Sequence, residues 1–361
     1  NQAVFFDYDL DDDLDLMVIN HSANWNEKRP YKELDKRGVF SDKLFRNNGD
    51  ATFTDVSEEA GLEKDRYGFG LGVSVGDLNG DRYPDMYVSN DYFGADYLYF
   101  NNGDGTFSEK VKEATKHISY FSMGTDIADY NNDGLLDIVT VDMVAEDNYR
   151  QKTNMAGMNP RIFYEALDAG LHYQYMFNVL HMNNGNESFS DVAQLAGIPN
   201  TDWSWAPIFA DFDSDGWKDL FITNGLARDV RNKDVNIKLQ KEGKIGKDKN
   251  GNTFYRISNI DHYLAFPEKK IPNYAYRNKG DMTFEKVSYD WGIGQLGFSK
   301  GASFADLDND GDLDLVVNNL NALAWIYENQ SDQMIDFNYL KVKLKGEGQN
   351  TGAIGSKVTL Y

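Results

Sequence analysis

Cysteine is absent from all 361 residues. That excludes disulfide frameworks, thiolate catalysis and cysteine-type zinc sites, and it fits an exported bacterial chain. No apolar run approaches 18 residues, so no transmembrane helix is expected. No secretory signal is visible, and Asn1 stands close before an apolar strand, Val4-Phe5-Phe6, as in a chain cut from a longer one. Histidine is scarce: His21, His117, His172, His181 and His262 are the full set, and none has the H-x-x-x-H spacing of a zinc motif. No G-x-S-x-G nucleophile elbow occurs. The Gly-rich GFGLGV lacks the Lys-Ser/Thr of a phosphate-binding loop and leads into a strand pattern. Positive charge is also short: 36 Lys and Arg face 58 Asp and Glu, a formal net charge of −22. Nucleic-acid phosphates would be repelled by such a chain, and cations attracted.

The acid is not scattered. Five segments align: FFDYDLDDDLDLMV from Phe5, SVGDLNGDRYPDMYV from Ser74, DIADYNNDGLLDIVT from Asp126, IFADFDSDGWKDLFIT from Ile208 and SFADLDNDGDLDLVV from Ser303. Each reads apolar strand, acidic loop, apolar strand, with the loop pattern D-x-[DN]-x-D-x-x-x-D. The loops hold 21 Asp, nearly the whole excess of acid, and five divalent ions would lift −22 to −12. A solvated acidic surface has no reason to keep such a register.

A second element follows each loop. LFRNNGDATFTDV, LYFNNGDGTFSEK, MNNGNESFSDV and YRNKGDMTFEKV are strand, Asn-Gly or Lys-Gly turn, strand. Such turns need the positive φ of a tight hairpin. The fifth copy, AWIYENQ, keeps only the first strand. One unit is therefore four short antiparallel strands, and radial repetition of such a sheet is a β-propeller. The expected class is all-β: a propeller over residues 1–330, with five visible blades at about 3–60, 68–115, 121–196, 202–290 and 298–330. Two insertions interrupt it. One, over about Ala145–Tyr173, has helical character around RIFYEALDAGL; the other, Leu226–Asn273, carries 11 Lys and Arg against 6 Asp and Glu. A solenoid is the rival fold, but variable insertions and four strands per unit suit a propeller better.

The loop chemistry points to calcium, a hard cation that takes six to eight oxygens at about 2.3–2.6 Å. Side chains at positions one, three, five and nine, with the backbone carbonyl of position seven, can converge on one point. These are Asp7, Asp9, Asp11, Asp13 and Asp15 in loop 1, and Asp77, Asn79, Asp81, Tyr83 and Asp85 in loop 2. Loop 3 offers Asp129, Asn131, Asp133, Leu135 and Asp137; loop 4 offers Asp211, Asp213, Asp215, Trp217 and Asp219. Loop 5 offers Asp306, Asp308, Asp310, Asp312 and Asp314. Up to five Ca²⁺ are expected, in a structural role. Gly134, Gly216 and Gly311 stand at position six, where the chain turns sharply; Asp12 and Arg82 stand there in loops 1 and 2 and would bear strain if φ is positive. An EF-hand is excluded because position twelve, where it needs Glu, is Val18, Val88, Thr140, Ile222 and Val317. Magnesium fits less well because it keeps several waters.

At these residues the sequence resembles the FG-GAP/VCBS repeat family, the calcium-loop blades also seen in integrin α subunits. The resemblance runs from Val4 to about Asn329, and Gly68–Asp81 is close to the family's blade opening. The tail Asn338–Tyr361 resembles the beginning of an ASPIC/UnbV domain, cut at Tyr361. The resemblance implies an exported or surface-anchored binding protein with Ca²⁺ in its blade loops. The family's propellers often have seven blades, where five are visible here. The expected partner is a protein or glycan at a surface, in an extracellular, cell-surface or periplasmic setting. The alternative is a carbohydrate-active enzyme, a lyase or hydrolase, with its site on the insertions. Trp25 and Tyr31, in an inter-strand insertion, are sugar-contact candidates because loops carry function. Trp203 and Trp205 are expected to pack between blades, with a sugar-stacking surface as the sharper reading. The basic insertion is either a solvated excursion or a dock for an acidic partner.

Overall fold

The computed structural model describes residues 2–21, 41–62, 69–92, 94–154, 160–249, 251, 253–334, 339–346, 350–353, 356 and 358. Trp25 and Tyr31 lie outside the described residues, as do ten of the 24 residues of the tail 338–361 expected to open a second domain.

Five antiparallel sheets follow one another around a ring, each made by one stretch of chain. Blade 1 is Ala3–Phe6, Asp15–Val18, Lys43–Asn47 and Phe53–Asp55. Blade 2 is Gly70–Gly76, Asp85–Asn90, Tyr97–Asn101 and Phe107–Glu109. Blade 3 is Gly124–Ala128, Asp137–Val141, Val179–Asn183 and Phe189–Asp191. Blade 4 is Ser204–Ala210, Asp219–Asn224, Tyr274–Asn278 and Phe284–Lys286. Blade 5 is Ser299–Ala305, Asp314–Asn319 and Trp325–Tyr327, after which the chain turns into the short helix Ser331–Met334. Among the described residues this blade has three strands, in line with the truncated last hairpin in the sequence. The expected β-propeller is the fold observed.

The blades are held face to face by apolar seams. Side chains alternate across a strand, so one strand can feed both of its faces. In Asp85–Asn90, Met86 and Val88 pack towards blade 1 with Met17, Ile19 and Leu44, while Tyr87 packs towards blade 3 with Ile138 and Phe189. The seam between blades 3 and 4 joins Tyr130, Val139 and Leu180 to Phe209, Leu220 and Tyr276. The seam between blades 4 and 5 joins Phe212 and Phe221 to Leu315 and Val317. The second strands of blades 2, 3 and 4 are buried from end to end, which is why DMYVSN and DLFITN carry β-branched and aromatic residues. Close approach also fixes a glycine: a Cβ on Gly124, in the first strand of blade 3, would lie 2.0 Å from the Trp205 carbonyl of blade 4.

GFGLGV is strand from Gly70 onward, as expected. The first insertion is helical at Asn148–Asn154 and Pro160–Asp168, the latter within the stretch anticipated. The second carries helices Lys233–Lys241 and Asn259–Leu264 with a small hairpin, Ile245–Lys247 and Thr253–Tyr255. The two insertions meet: Lys233 Nζ lies 3.4 Å from the Lys152 carbonyl. No helix among the described residues is long and apolar enough to cross a membrane.

Candidate calcium loops at the blade hairpins

All five acidic loops join the first and second strands of a blade and share one hydrogen-bond plan. Position nine anchors it. Asp15, Asp85, Asp137, Asp219 and Asp314 are almost fully buried. One oxygen of each accepts the N–H of position two: Tyr8, Leu78, Tyr130, Phe212 and Leu307 donate at 2.8–3.2 Å. The other oxygen accepts the N–H of an Asn at or just past the end of the third strand: Asn47, Asn101, Asn183, Asn278 and Asn329 donate at 2.8–2.9 Å. The position-nine carboxylate thus ties its loop to the next hairpin of its own blade. Burial pushes Asp15, Asp85 and Asp137 up to about 7 and Asp219 up to about 8, against the backbone N–H bonds that pull down.

Position one closes the turn. Asp7 accepts from the N–H of Asp11 and Asp12, Asp129 from Asp133 and Gly134, and Asp211 from Asp215 and Gly216. Position five accepts from position seven, as Asp215 does from Trp217 at 2.9 Å. The backbone at position six is left-handed throughout: φ is 88° at Gly134, 91° at Gly216 and 103° at Gly311. Asp12 and Arg82 take φ of 71° and 79° there, the strained conformation anticipated for them. Position four is left-handed as well, at Leu10, Asn132, Ser214 and Asn309 as at Gly80. This second strained position was not read from the sequence, although Gly, Asn and Ser at that place are its signal.

The loops differ at position three, and that difference decides what they can hold. In loop 1, Asp7, Asp9 and Asp15 bring one carboxylate oxygen each within 4.8 Å of one another; in loop 4, Asp211, Asp213 and Asp219 do the same. Oδ1 of Asp9 and of Asp213 is buried without a hydrogen-bond partner. Burial and the neighbouring carboxylates raise Asp9, and raise Asp213 to about 6. In loops 2 and 3 position three is Asn. Asn79 and Asn131 donate their side-chain amides to Asp81 and Asp133 at 3.0 and 2.9 Å, and no three carboxylates converge there among the described residues. In loop 5 Asp306, Asp308 and Asp310 converge without Asp314, and Asp310 and Asp312 also gather with Asp332 of the following helix. Oδ1 of Asp306 and of Asp312 is buried and unpartnered, as is that of Asp13 in loop 1. From the tail, Lys341 places its ammonium 3.0 Å from Asp306, and Asn350 donates its N–H to the Asp12 carbonyl at 2.6 Å.

Buried carboxylate oxygens without a donor are costly in isolation and are ordinarily paired or bound to metal. An oxygen-only donor set of aspartates is the chemistry of a hard divalent cation. The residues therefore fit calcium, best in loops 1, 4 and 5.

The histidines take no part in these clusters among the described residues. His117 pairs with Asp191 at 3.0 Å. His172 and His181 are buried, which pushes them down to about 4 and about 3. Trp203 and Trp205 pack on the seam between blades 3 and 4, as expected.

Antiparallel blades in a ring, each opened by an aspartate-rich hairpin loop, define a propeller built of acidic-loop repeats. The chain belongs to the FG-GAP-like repeat family, whose sequence profile matches residues 7–88, 77–140, 171–222 and 257–317. It is 26% identical over 323 residues to cartilage acidic protein 1 of Xenopus tropicalis, covering 87% of this chain and 38% of that protein. The Homo sapiens protein of the same name is 25% identical over 318 residues, with the same coverage. The chain thus spans well under half the length of these relatives. Among solved structures, a lectin of Agrocybe aegerita, described as recognising non-reducing terminal N-acetylglucosamine, aligns over 91% of this chain and 66% of its own. The identity is 14% and the TM-score 0.40, too low for any argument here.

Proposed function

We propose that the chain is a calcium-stabilised, exported binding or scaffold module, with structural Ca²⁺ in its acidic hairpin loops and a protein or glycan as its partner. The observation that carries the metal part is the pair of matching trios, Asp7–Asp9–Asp15 and Asp211–Asp213–Asp219, each with an orphaned position-three oxygen. Position seven would add its backbone carbonyl, from Asp13 or Trp217, and position five its free oxygen. The five loops are the proposed sites, with loops 1, 4 and 5 the tightest because each brings three carboxylates together.

The bound ion would neutralise a tight acidic turn and lock two strands of one blade. In loops 1 to 4 it would also reach the next blade, because the position-two carbonyl of each of these loops is gripped from there. The exported setting is supported by the absence of cysteine and the strong acidity, which suit a calcium-rich medium. Calorimetric titration of metal-stripped protein with Ca²⁺ tests the proposal. Binding should be lost stepwise in Asp9→Asn and Asp213→Asn. Heats unchanged by both substitutions would overturn the assignment of loops 1 and 4.

A further inference from the structure

Loop 5 gathers more carboxylate than its own repeat pattern explains. Asp306, Asp308 and Asp310 form one group, and Asp310, Asp312 and Asp332 form another; within each, one oxygen per residue lies within 4.8 Å of the others. The two groups share Asp310 alone. Asp332 is no part of the repeat. It comes from the short helix Ser331–Met334, which follows the third strand of blade 5 where blades 1 to 4 run on into a fourth. Asp312 stands at position seven, which loops 2, 3 and 4 fill with Tyr83, Leu135 and Trp217. A single loop ion needs only the backbone carbonyl of that residue, so an acidic side chain there is surplus to it.

The helix is seated on the loop by a run of hydrogen bonds. Asn329 donates its N–H to Asp314 at 2.8 Å, and Ser331 donates its N–H to the Asn329 side chain at 3.2 Å. The buried Ser331 hydroxyl lies 3.0 Å from the Phe212 carbonyl of blade 4. Asp332 then donates its N–H to Asp312 Oδ2 at 3.3 Å. That leaves Asp312 Oδ1, on a residue only 1% exposed, buried without a hydrogen-bond partner. Burial lifts the Asp312 carboxyl to about 6 against the Asp332 N–H bond, and the charges of Asp310, Asp314 and Asp332 add to the rise. Lys341 reaches only the first group, through Asp306. No cation among the described residues is ion-paired to Asp310, Asp312 or Asp332.

We infer that Asp310, Asp312 and Asp332 bind a second divalent cation at blade 5, a calcium ion distinct from the one in the loop, with Asp310 bridging the two. A buried carboxylate oxygen with no donor is ordinarily paired or bound to metal, and no protein donor or cation meets this one among the described residues. Three carboxylates and no nitrogen or sulfur ligand select a hard cation. Asp332 is exposed, so water completes the shell on its side. Ions in two-metal sites stand about 3.5–4 Å apart, a spacing that one bridging carboxylate spans. The second ion fastens the helix to the loop, at the blade where the helix follows directly on the third strand.

The inference rests on reading loop 5 as a calcium loop and adds an ion to it. Counting the calcium held by the full chain after dialysis against Ca²⁺ tests it, with two variants that separate the ions. Asp332→Asn removes a ligand of the second ion only, and Asp308→Asn removes one of the first only. Asp332 is exposed, so its substitution should leave the fold intact, and thermal unfolding in EDTA checks this. The calcium count should fall by one ion per chain in Asp332→Asn. Calcium should also slow hydrogen exchange over 331–334 in the unaltered chain and not in that variant, while 211–219 responds to calcium in both. A count unchanged by Asp332→Asn would overturn the second ion; if Asp308→Asn still loses one, the loop reading stands. An unaltered chain that binds no calcium would overturn both.

Discussion

Asn183, at the end of the third strand of blade 3, donates its side-chain amide to the Leu78 carbonyl in the acidic loop of blade 2, at 2.8 Å. The same bond recurs from Asn101 to Tyr8, Asn278 to Tyr130 and Asn329 to Phe212, at 2.6–2.8 Å. Each Asn reaches one blade back. The carbonyl it grips belongs to the residue whose N–H is held by the position-nine Asp of that loop. Loop order and blade packing are therefore one network, and loss of the Asn leaves a buried carbonyl unpaired.

Asn183→Ala and Asn278→Ala should each cost about 1–3 kcal/mol, the penalty for a buried polar group left without its partner. Urea unfolding measures this. A change under about 0.5 kcal/mol in both would show that the bonds do not hold the blades together.

Positions three and nine should separate in their effects. Asp219 serves two backbone amides, so Asp219→Asn sets an amide group against an N–H and destabilises the protein with or without calcium. Asp213 has an unpartnered oxygen beside two other carboxylates, so Asp213→Asn relieves repulsion. In EDTA it should leave the midpoint unchanged or raised, and in calcium it should lose part of the metal response. Thermal scans of both variants in both buffers distinguish the roles; equal losses in EDTA would show that position three is structural too.

The metal-free protein should have an inverted acid response. Burial raises Asp15, Asp85 and Asp137 to about 7 and Asp219 to about 8, above the usual carboxylate value near 3.8. The folded state then holds more protons than the unfolded chain between roughly pH 4 and 8, so stability falls as pH rises through that window. In EDTA the midpoint should drop from pH 5.5 to pH 8. Calcium needs the ionised forms, so saturation with it should flatten or reverse that slope. A midpoint in EDTA that rises steadily over the window would contradict the assignment.

Arg150→Met should loosen the two insertions more than the ring. It leaves Asp202 and Asp229 buried without their cation, a loss of about 3–5 kcal/mol for a buried pair. Hydrogen exchange should quicken over 148–154 and 229–241 while the strands of blade 2 keep their protection. Unchanged exchange in the insertions would remove the triad from the account.

The ring was legible because its determinants repeat. The loop Asp residues at positions one, five and nine, the apolar flanks and the hairpin turns each occur four or five times in register, and the truncated fifth hairpin foretold the three-stranded blade. The Asn staples were present in the same text, as the Asn before each hairpin turn. The text around them shows only turn chemistry, because their partner carbonyls lie 93 to 148 residues away. The inequality of the loops came from one substitution, Asn for Asp at position three, whose effect depends on where the amide points.

The most direct test of the central claim is thermal unfolding of the metal-stripped chain in EDTA and in millimolar Ca²⁺, with Mg²⁺ as control and metal content measured on the purified protein. Ligand held only by the native state stabilises by RT ln(1+[L]/Kd) per site. The account predicts a calcium-specific rise of many degrees, diminished in Asp211→Ala and in Asp306→Ala. An unchanged midpoint in calcium, with no metal in the purified protein, would contradict it and leave the acidic loops as turns held by hydrogen bonds alone.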